Sequence, residues 1–241
     1  MDRAASKRLE ARVARADFAA VERSLELDGA AVLPGLLTRT ECKALAALYG
    51  DDARFRSTVV MSRHGYGKGE YRYFAYPLPD PIALLREKLY PRLVPIADRW
   101  NAALGTNTRF PKTHARYLEL CHAAGQTRPT PLLLKYGEGD YNCLHQDLYG
   151  EHVFPLQVAF LLSDPERDFT GGEFVMTEQR PRMQSRPLVV PLAQGDAVAF
   201  AVRHRPVQGT RGVYKVSLRH GVSRIRSGHR LTAGIIFHDA R

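Results

Sequence analysis

Apolar and polar positions in the first fifty residues follow a helical period. Over 4–27 the apolar side chains recur at spacings of three to five residues, so they lie near one face of an α-helix that ends at Gly29. A short apolar run at 30–33 predicts a strand, and a second amphipathic pattern predicts a helix over 41–49. The front of the chain is therefore predicted to be helical, and nothing in it is typical of catalysis.

A glycine-rich loop at 62–69 separates two predicted strands, 55–61 and 70–76. Glycine permits backbone conformations that other residues avoid, so we interpret the pair as a hairpin that can flex over a substrate. An ordinary exposed hairpin would have the same pattern, and that alternative stays open.

This hairpin contains both cations and aromatic rings. Arg63 and Lys68 are suited to binding phosphate oxygens, and Tyr66 and Tyr71 are suited to stacking on a base. These four side chains are the candidate substrate residues in the first half of the chain.

The segment after the hairpin is predicted to be helical and then irregular. A long helix is expected over 80–104, interrupted near Pro91 and Pro95 because proline cannot continue the helical hydrogen bonds. Residues 105–130 are polar and irregular, with a possible strand at 115–120. The histidines of this segment are interpreted as surface or structural residues.

From residue 131 onward, short apolar runs alternate with turns. Many short strands at such a pitch predict a double-sheet jelly roll or a barrel. The fold class is then mainly β with a helical front (α+β). We expect a single domain, with 1–130 as helical support and hairpin and 131–241 as the catalytic core. The predicted strands are 132–136, 154–162, 172–176, 188–190, 197–202, 213–218 and 231–237.

Composition indicates an ordinary globular protein. The chain has 241 residues, of which 44% are hydrophobic and 25% charged. It contains no apolar run long enough for a membrane span and no apolar signal core near its start, so we expect a cytoplasmic protein without a membrane partner. Its three cysteines form no CxxC pair, which argues against a zinc finger or a disulfide framework.

The net charge is +10 and the isoelectric point is about 9.7. A basic excess of this size favours an anionic partner, and nucleic acid is the commonest one.

The candidate chemistry lies at His145-x-Asp147. Side chains two residues apart point to the same side of an extended strand, so this imidazole and this carboxylate face one site. A further imidazole from a late strand, His220, would complete a two-histidine, one-carboxylate triad of the kind that binds Fe(II) and leaves positions open. Arg230 follows across a turn at 227–228, and a buried arginine there would bind a dicarboxylate.

These residues in this order resemble the signature of the 2-oxoglutarate/Fe(II)-dependent dioxygenase superfamily. Three shorter motifs resemble the same superfamily: the Tyr-Gly at 136–137, the Gly-Gly-Glu-Phe at 171–174 and the Gly-Asp-x-x-x-Phe at 195–200. The resemblance covers about 130–241, while the front half agrees in layout only. It implies that the jelly roll is a cupin-like double-stranded β-helix.

A closer resemblance is to a bacterial subfamily of AlkB-like nucleic-acid oxygenases that act oxidatively on damaged DNA. The segments that resemble it are 169–185, 204–212 and 235–239. The substrate implied is an alkylated base in DNA, single-stranded or flipped out of the stack. Its oxidative demethylation would release succinate, CO2 and formaldehyde.

The superfamily resemblance also implies the cofactors and their ligands. Fe(II), 2-oxoglutarate as co-substrate and O2 are expected, and no catalytic residue is expected beyond the iron ligands. The implied residues are His145, Asp147 and His220 for the metal, and Arg230, Thr232 and Tyr136 for 2-oxoglutarate.

Cations in loops that flank the late strands are candidates for a rim that follows phosphates, although a merely solvated surface would have the same pattern. The candidates are Arg180, Arg182 and Arg205, with Arg203 and Arg211 nearby.

Two alternatives to a nucleic-acid oxygenase remain. A protein side-chain hydroxylase of the prolyl type would have the same chemistry and a similar layout. A non-catalytic binding module on the same fold would have no need of an intact triad together with Arg230, so the motif speaks against it.

Overall fold

A computed structural model describes residues 2–165 and 167–241 of the chain. Its helices lie in the first half. They are α1 (Arg3–Arg15), α2 (Phe18–Asp28), α3 (Arg39–Ala47), α4 (Asp80–Ala103) and α5 (His114–Ala123), with short 3-10 turns at Leu48–Gly50, Asp52–Arg54 and Met61–Arg63. None of these described helices has both the length and the apolar character needed to cross a bilayer.

The strands begin between α2 and α3 and dominate the second half. They are β1 (Ala30–Leu33), β2 (Phe55–Val60), β3 (Gly67–Lys68), β4 (Glu70–Phe74), β5 (Leu132–Tyr136), β6 (Tyr141–His145), β7 (Leu156–Leu161), β8 (Phe169–Gly171), β9 (Phe174–Gln179), β10 (Arg186–Val190), β11 (Ala197–Ala201), β12 (His204–Gly209), β13 (Gly212–Val222), β14 (Ile225–Gly228) and β15 (Arg230–Ile235).

Two antiparallel sheets form the body of the fold. The first sheet has the order β1-β11-β7-β15-β5-β4-β2, and the second has the order β10-β9-β13-β6-β3 with β12 paired to β13. Side chains of both sheets meet between them, as where the Phe174 and Phe200 rings lie 5.0 Å apart. The predicted mainly β, jelly-roll architecture with helices in front is confirmed.

The burial patterns of the two sheets differ. In the first sheet β11 is buried at every position, because helices cover one face and the second sheet covers the other. In the second sheet β9 alternates buried and partly exposed side chains, as expected for a strand with one face toward solvent. The first sheet is therefore the rigid support, and the second sheet offers a free face.

Three local predictions were wrong. The helix expected over 4–27 is two helices, because the Asp17 side chain accepts a hydrogen bond from the Ala20 amide and begins a new one. The strand expected at 115–120 is part of α5, where Thr113 caps the helix and the buried Tyr117 and Cys121 are four residues apart.

The third concerns α4, which continues through Pro91 and Pro95 without a break. Most of its inner face is buried in the core, and this tertiary packing outweighs the missing hydrogen bonds.

A buried ionic network anchors the C-terminal end of the chain against α4. The Arg86 guanidinium lies 2.7 Å from the Asp239 carboxylate, and both side chains are almost completely buried. Asp239 also accepts hydrogen bonds from Tyr76 and contacts His122 at 2.8 Å. These contacts hold the segment after β15 against α4, α5 and the turn that follows β4.

Two buried histidines near this network make stability depend on pH. Burial, with a smaller contribution from the Arg86 charge, lowers the pKa of His114 and of His238 from 6.5 to about 4. The folded state thus favours the neutral rings. Their contribution to stability is fully present above pH 6.5 and is lost as the pH falls from 6.5 through about 4.

We expect the free energy of unfolding to fall across that window by on the order of 2 kcal/mol per histidine. Urea denaturation at neutral pH and at acid pH measures it. The variants His114→Gln and His238→Gln should each flatten the pH dependence, whereas His229→Gln, at an exposed position, is the matched control. A pH dependence equal to that of the wild type in both buried variants would contradict the assignment.

Candidate active site

The pairing of β6 with β13 brings two histidines together. His145 is the last residue of β6, and it lies opposite His220 in the antiparallel register. Their ring centroids are 4.2 Å apart. Asp147, two residues further along the chain, places its two carboxylate oxygens 3.5 Å from His145 Nε2 and 3.4 Å from His220 Nε2.

This set fits a metal ion. One ligand atom from each of the three side chains lies within 4.8 Å of the others. Two imidazole nitrogens and one carboxylate on a single side form the donor set that suits non-haem Fe(II), and it leaves further positions open.

Neighbouring groups orient two of the three side chains. His145 Nδ1 lies 2.8 Å from the Cys143 carbonyl, and donating a proton there leaves Nε2 free to bind a metal. The Tyr149 hydroxyl donates to Asp147 Oδ1 at 2.8 Å, and the Tyr73 hydroxyl donates to Tyr149 at 3.2 Å. Two linked tyrosine hydroxyls therefore fix the orientation of the Asp147 carboxylate.

The electrostatics keep the carboxylate ionised. Burial disfavours the charge of Asp147, but its hydrogen bonds with His145 and His220 outweigh burial and hold the pKa of Asp147 well below its usual value. Burial lowers the pKa of His220. For His145 burial acts in the same direction, yet the Asp147 carboxylate outweighs it and raises the pKa. A cation bound here would compete with protons on His145.

A second feature of the site is a buried arginine without an anion. Arg230 begins β15 opposite Tyr136 of β5, and its side chain is 2% exposed. Nη1 donates to Thr232 Oγ1 at 2.6 Å, but Nε has no hydrogen-bond partner. Within residues 2–165 and 167–241 no carboxylate forms an ion pair with Arg230.

Burial lowers the pKa of Arg230 to about 10. Leaving a cation unpaired in the interior is unfavourable, and an anionic ligand would remove that penalty. Tyr136 lies beside it, with the guanidinium carbon 5.8 Å from the ring centroid, and burial raises the pKa of Tyr136 to about 12. Its hydroxyl therefore stays protonated and can donate to a ligand.

One cavity of about 420 Å³ connects the triad with the arginine. Its volume is in the range of small-ligand pockets. The structure thus brings together all six residues predicted for the metal and its co-substrate: His145, Asp147, His220, Arg230, Thr232 and Tyr136.

The candidate substrate residues of the hairpin separate into two groups. Tyr66 and Tyr71 line the cavity, and Tyr66 is half exposed with its ring stacked on His64 at 5.3 Å. Arg63 and Lys68 are exposed on the hairpin and do not line the cavity.

The hairpin is also joined to the second sheet. Its strand β3 pairs with β6, with Gly67 opposite Asn142. Gly67 has a φ of 124°, and a Cβ there would lie 2.3 Å from the Tyr141 carbonyl oxygen, so only glycine fits. The close approach positions Tyr66 at the mouth of the cavity.

The predicted cationic rim lies partly elsewhere. Arg180 and Arg182 border a separate shallow depression of about 330 Å³. Arg205 is 2% exposed, so its interpretation as a rim residue was wrong. It points inward from β12 and binds the Glu178 carboxylate and the backbone carbonyls of Glu26 and Leu27 at the end of α2.

Sequence reasoning missed Tyr149 and Tyr73. Tyr149 continues the period of two that begins with His145 and Asp147, and Tyr73 follows Tyr71 at the same spacing on β4. That alternation was the available signal, but only the tertiary structure shows the hydroxyl groups meeting.

Comparison with known proteins agrees with this geometry. Residues 69–240 match the Oxygenase-NA family, described as an oxygenase catalysing oxidative methylation of damaged DNA. Two uncharacterized proteins of Mycobacterium tuberculosis, MT2286 and Rv2227, are each 55% identical over 167 residues, which is 69% of this chain and 72% of the relative.

Solved structures share the fold at low sequence identity. An oxidoreductase of the 2OG-Fe(II) oxygenase family from Burkholderia pseudomallei has a TM-score of 0.52 at 17% identity, covering 94% of this chain and 93% of that one. A prolyl hydroxylase from Trichoplax adhaerens, solved with a peptide fragment of hypoxia inducible factor, has a TM-score of 0.53 at 13% identity, covering 99% of this chain and 94% of that one.

The triad can be tested without turnover. Asp147→Ala and His145→Ala each remove one donor, so we expect loss of measurable Mn(II) binding, a redox-inert substitute for Fe(II), by calorimetry. Cys143→Ala, on the same strand but outside the donor set, should bind Mn(II) as the wild type does. Wild-type affinity in Asp147→Ala would exclude this site.

Replacing Arg230 should have two effects, one on stabilisation by 2-oxoglutarate and one on the stability of the protein alone. In Arg230→Met, 2-oxoglutarate should no longer raise the melting temperature of the Mn(II)-loaded protein, because its distal carboxylate loses its partner. Without 2-oxoglutarate the variant should be at least as stable as the wild type, because an unpaired buried charge has been removed. Arg219→Met removes the same charge from an exposed position and is the control. An undiminished shift with 2-oxoglutarate would remove Arg230 from the site.

Proposed function

The chain belongs to the Oxygenase-NA family, within the 2-oxoglutarate- and Fe(II)-dependent oxygenases, and we propose that it oxidatively removes alkyl groups from bases in DNA. It is a dioxygenase that uses Fe(II), 2-oxoglutarate and O2. The observation that carries the proposal is the single cavity, which has a metal-binding triad and an unpaired buried arginine inside it and two tyrosines along it.

The proposal gives each inner residue a role. His145, Asp147 and His220 would hold Fe(II). Arg230 would pair with the distal carboxylate of 2-oxoglutarate, and Thr232 and Tyr136 would hydrogen-bond near it. When bound, Fe(II) with 2-oxoglutarate and O2 supplies an oxidant for a C–H bond, with succinate and CO2 as co-products.

The protein itself contributes charge placement and exclusion of water. The ionised Asp147 would offset part of the metal charge, and the hydrogen bond from Tyr149 to Oδ1 leaves Oδ2 able to bind the metal. Arg230 would pair with the co-substrate carboxylate in a buried position, where water screens the attraction little. Apolar side chains, including Phe200 and Val222, line part of the cavity and would limit the access of water to the reacting groups.

The substrate proposal rests on the cavity mouth, the charge and the family description. Tyr66 and Tyr71 offer aromatic faces on which a base can stack once it has left the helix or in a single strand. Hydroxylation of an N-methyl group gives N–CH2OH. This product loses formaldehyde and restores the N–H, so carbon, oxygen and the proton are all accounted for.

We expect an N-methylated single-stranded oligonucleotide to stimulate succinate and formaldehyde release together from the Fe(II)-loaded protein under air. The unmethylated oligonucleotide should stimulate neither, and Asp147→Ala should release neither. Succinate without formaldehyde, or stimulation by a proline-containing peptide instead, would overturn the substrate proposal and leave the oxygenase assignment standing.

Stacking at the mouth has its own test. Tyr66→Ala should raise the KM for the methylated oligonucleotide on the order of tenfold, since base–aromatic stacking contributes about 1–3 kcal/mol. Tyr66→Phe keeps the aromatic face and should remain near the wild type. Equal KM values for the alanine variant and the wild type would exclude Tyr66 from substrate binding.

A further inference from the structure

The net positive charge of this protein is concentrated in one part of the chain. Residues 179–229 contain ten of its 35 lysine and arginine residues but only one of its 25 acidic residues, Asp196. The other residues are close to neutral, with 25 basic and 24 acidic side chains. Almost the whole net charge of +10 therefore arises from a span of about a fifth of the sequence.

That span forms β10 to β14 and the loops between them, which belong mostly to the second sheet. On β13 the side chains of Val216, Leu218 and His220 are buried toward the first sheet. The alternate positions Lys215 and Arg219 are exposed on the outer face. Lys215 and Arg219 thus lie on the side of the sheet opposite to the core.

A depression of about 330 Å³ lies on this outer face, and we call it the outer cleft. Its floor is a row of three registered positions on neighbouring strands: His204 on β12, Ser217 on β13 and Gln179 on β9. The cations around it are Arg180, Arg182 and Lys215.

The outer cleft lacks a compensating carboxylate. Glu178, the nearest acid along β9, is buried and already contacts Arg180, Arg186 and Arg205. Arg182 and Lys215 form no ion pair among the residues that the structure describes. An anion could therefore bind to Arg182 and Lys215 without displacing an internal partner, although Arg180 is already paired with Glu178.

His204, on the floor of the outer cleft, has a pKa that is affected by the neighbouring cations. Burial, followed by the charges of Arg203 and Lys215, lowers the pKa of His204. Its Nδ1 is buried without a hydrogen-bond partner. The ring is thus a neutral polar group beside two cations, and one of its nitrogens has no partner within the protein.

The outer cleft is connected to the metal triad. Gln146, the residue between His145 and Asp147, donates to Ser217 Oγ at 3.2 Å and to the Leu218 carbonyl at 2.7 Å. Ser217 precedes His220 by three residues, which corresponds to about 10 Å along a strand. A polymeric substrate that has one unit in the cavity could place an adjacent unit in the outer cleft.

We propose that the outer cleft binds a phosphodiester group of the same nucleic-acid strand whose base enters the cavity. This inference rests on the proposed function. Arginine forks match the oxygens of a phosphate, and a row of phosphates fits a charge excess spread over a whole sheet face. Backbone contacts of this kind position a strand without reading its sequence.

The test compares two double variants of equal net charge. Arg182→Ala with Lys215→Ala removes two cations of the cleft, whereas Lys43→Ala with Lys112→Ala removes two exposed cations elsewhere. Binding of an unmethylated, fluorescent single-stranded oligonucleotide is measured by anisotropy over a range of salt concentrations. No turnover is needed for this readout.

The cleft variant should bind on the order of tenfold more weakly at low salt, and its log–log salt slope should be shallower by about 1.4, or about 0.7 per lost contact. The control variant should retain the wild-type slope. An unchanged stabilisation by 2-oxoglutarate in both variants verifies that the cavity is intact.

Equal weakening in both double variants would overturn the proposal, because the effect would then be one of net charge alone. Wild-type affinity in the cleft variant, or binding of an acidic peptide in preference to the oligonucleotide, would also overturn it. If the cleft variant loses binding as expected while the wild type releases no formaldehyde from methylated strands, the cleft stands and the proposed reaction fails.

Discussion

The antiparallel pairing of β6 with β13 is the constraint on which the site depends. It sets His145 opposite His220, and Asp147 then needs only two further residues to reach both rings. A slip of one residue would turn His220 to the outer face, because side chains alternate along a strand. The register is held from both sides, since β13 also pairs with β9 and packs Leu218 into the core. The metal donors are thus fixed by sheet geometry and not by a flexible loop.

Arg230 imposes a second constraint, which destabilises the fold where the strand pairing stabilises it. It sits in a strand at the centre of the first sheet, between β7 and β5, where a cation without an anion destabilises the fold. The surrounding structure tolerates this because the first sheet is covered on both faces and has a large apolar core. A buried cation with an unfilled Nε is therefore best explained by a ligand that completes it. The triad and the arginine open onto one cavity, which is the arrangement that a ligand with a carboxylate at each end requires.

The sequence was most informative where period two alone determines the result. His145 and Asp147 share a side for that reason, and the same spacing would have indicated Tyr149. It was least informative where a contact with a residue far along the chain determines the position of a side chain or the type of an element. Arg205 looks like any loop cation until β12 pairs with β13 and turns it toward Glu178 and the end of α2. Likewise α5 has a short apolar pattern that suits a strand, and only its packing against α4 selects the helix.

The two sheets divide the tasks of the molecule. The central strands of the first sheet are covered by helices on one face and by the second sheet on the other, so they can hold a buried arginine. The second sheet supplies two metal ligands from its inner face, and its outer face and loops carry many of the cations of the basic span. Gln146 joins the two faces, because it sits within the His-x-Asp motif and hydrogen-bonds to the outward Ser217. A polyanion bound to the basic face, as proposed, would therefore lie on the outer side of the same strand that carries His220, so electrostatic attraction and the reaction would depend on one structural element.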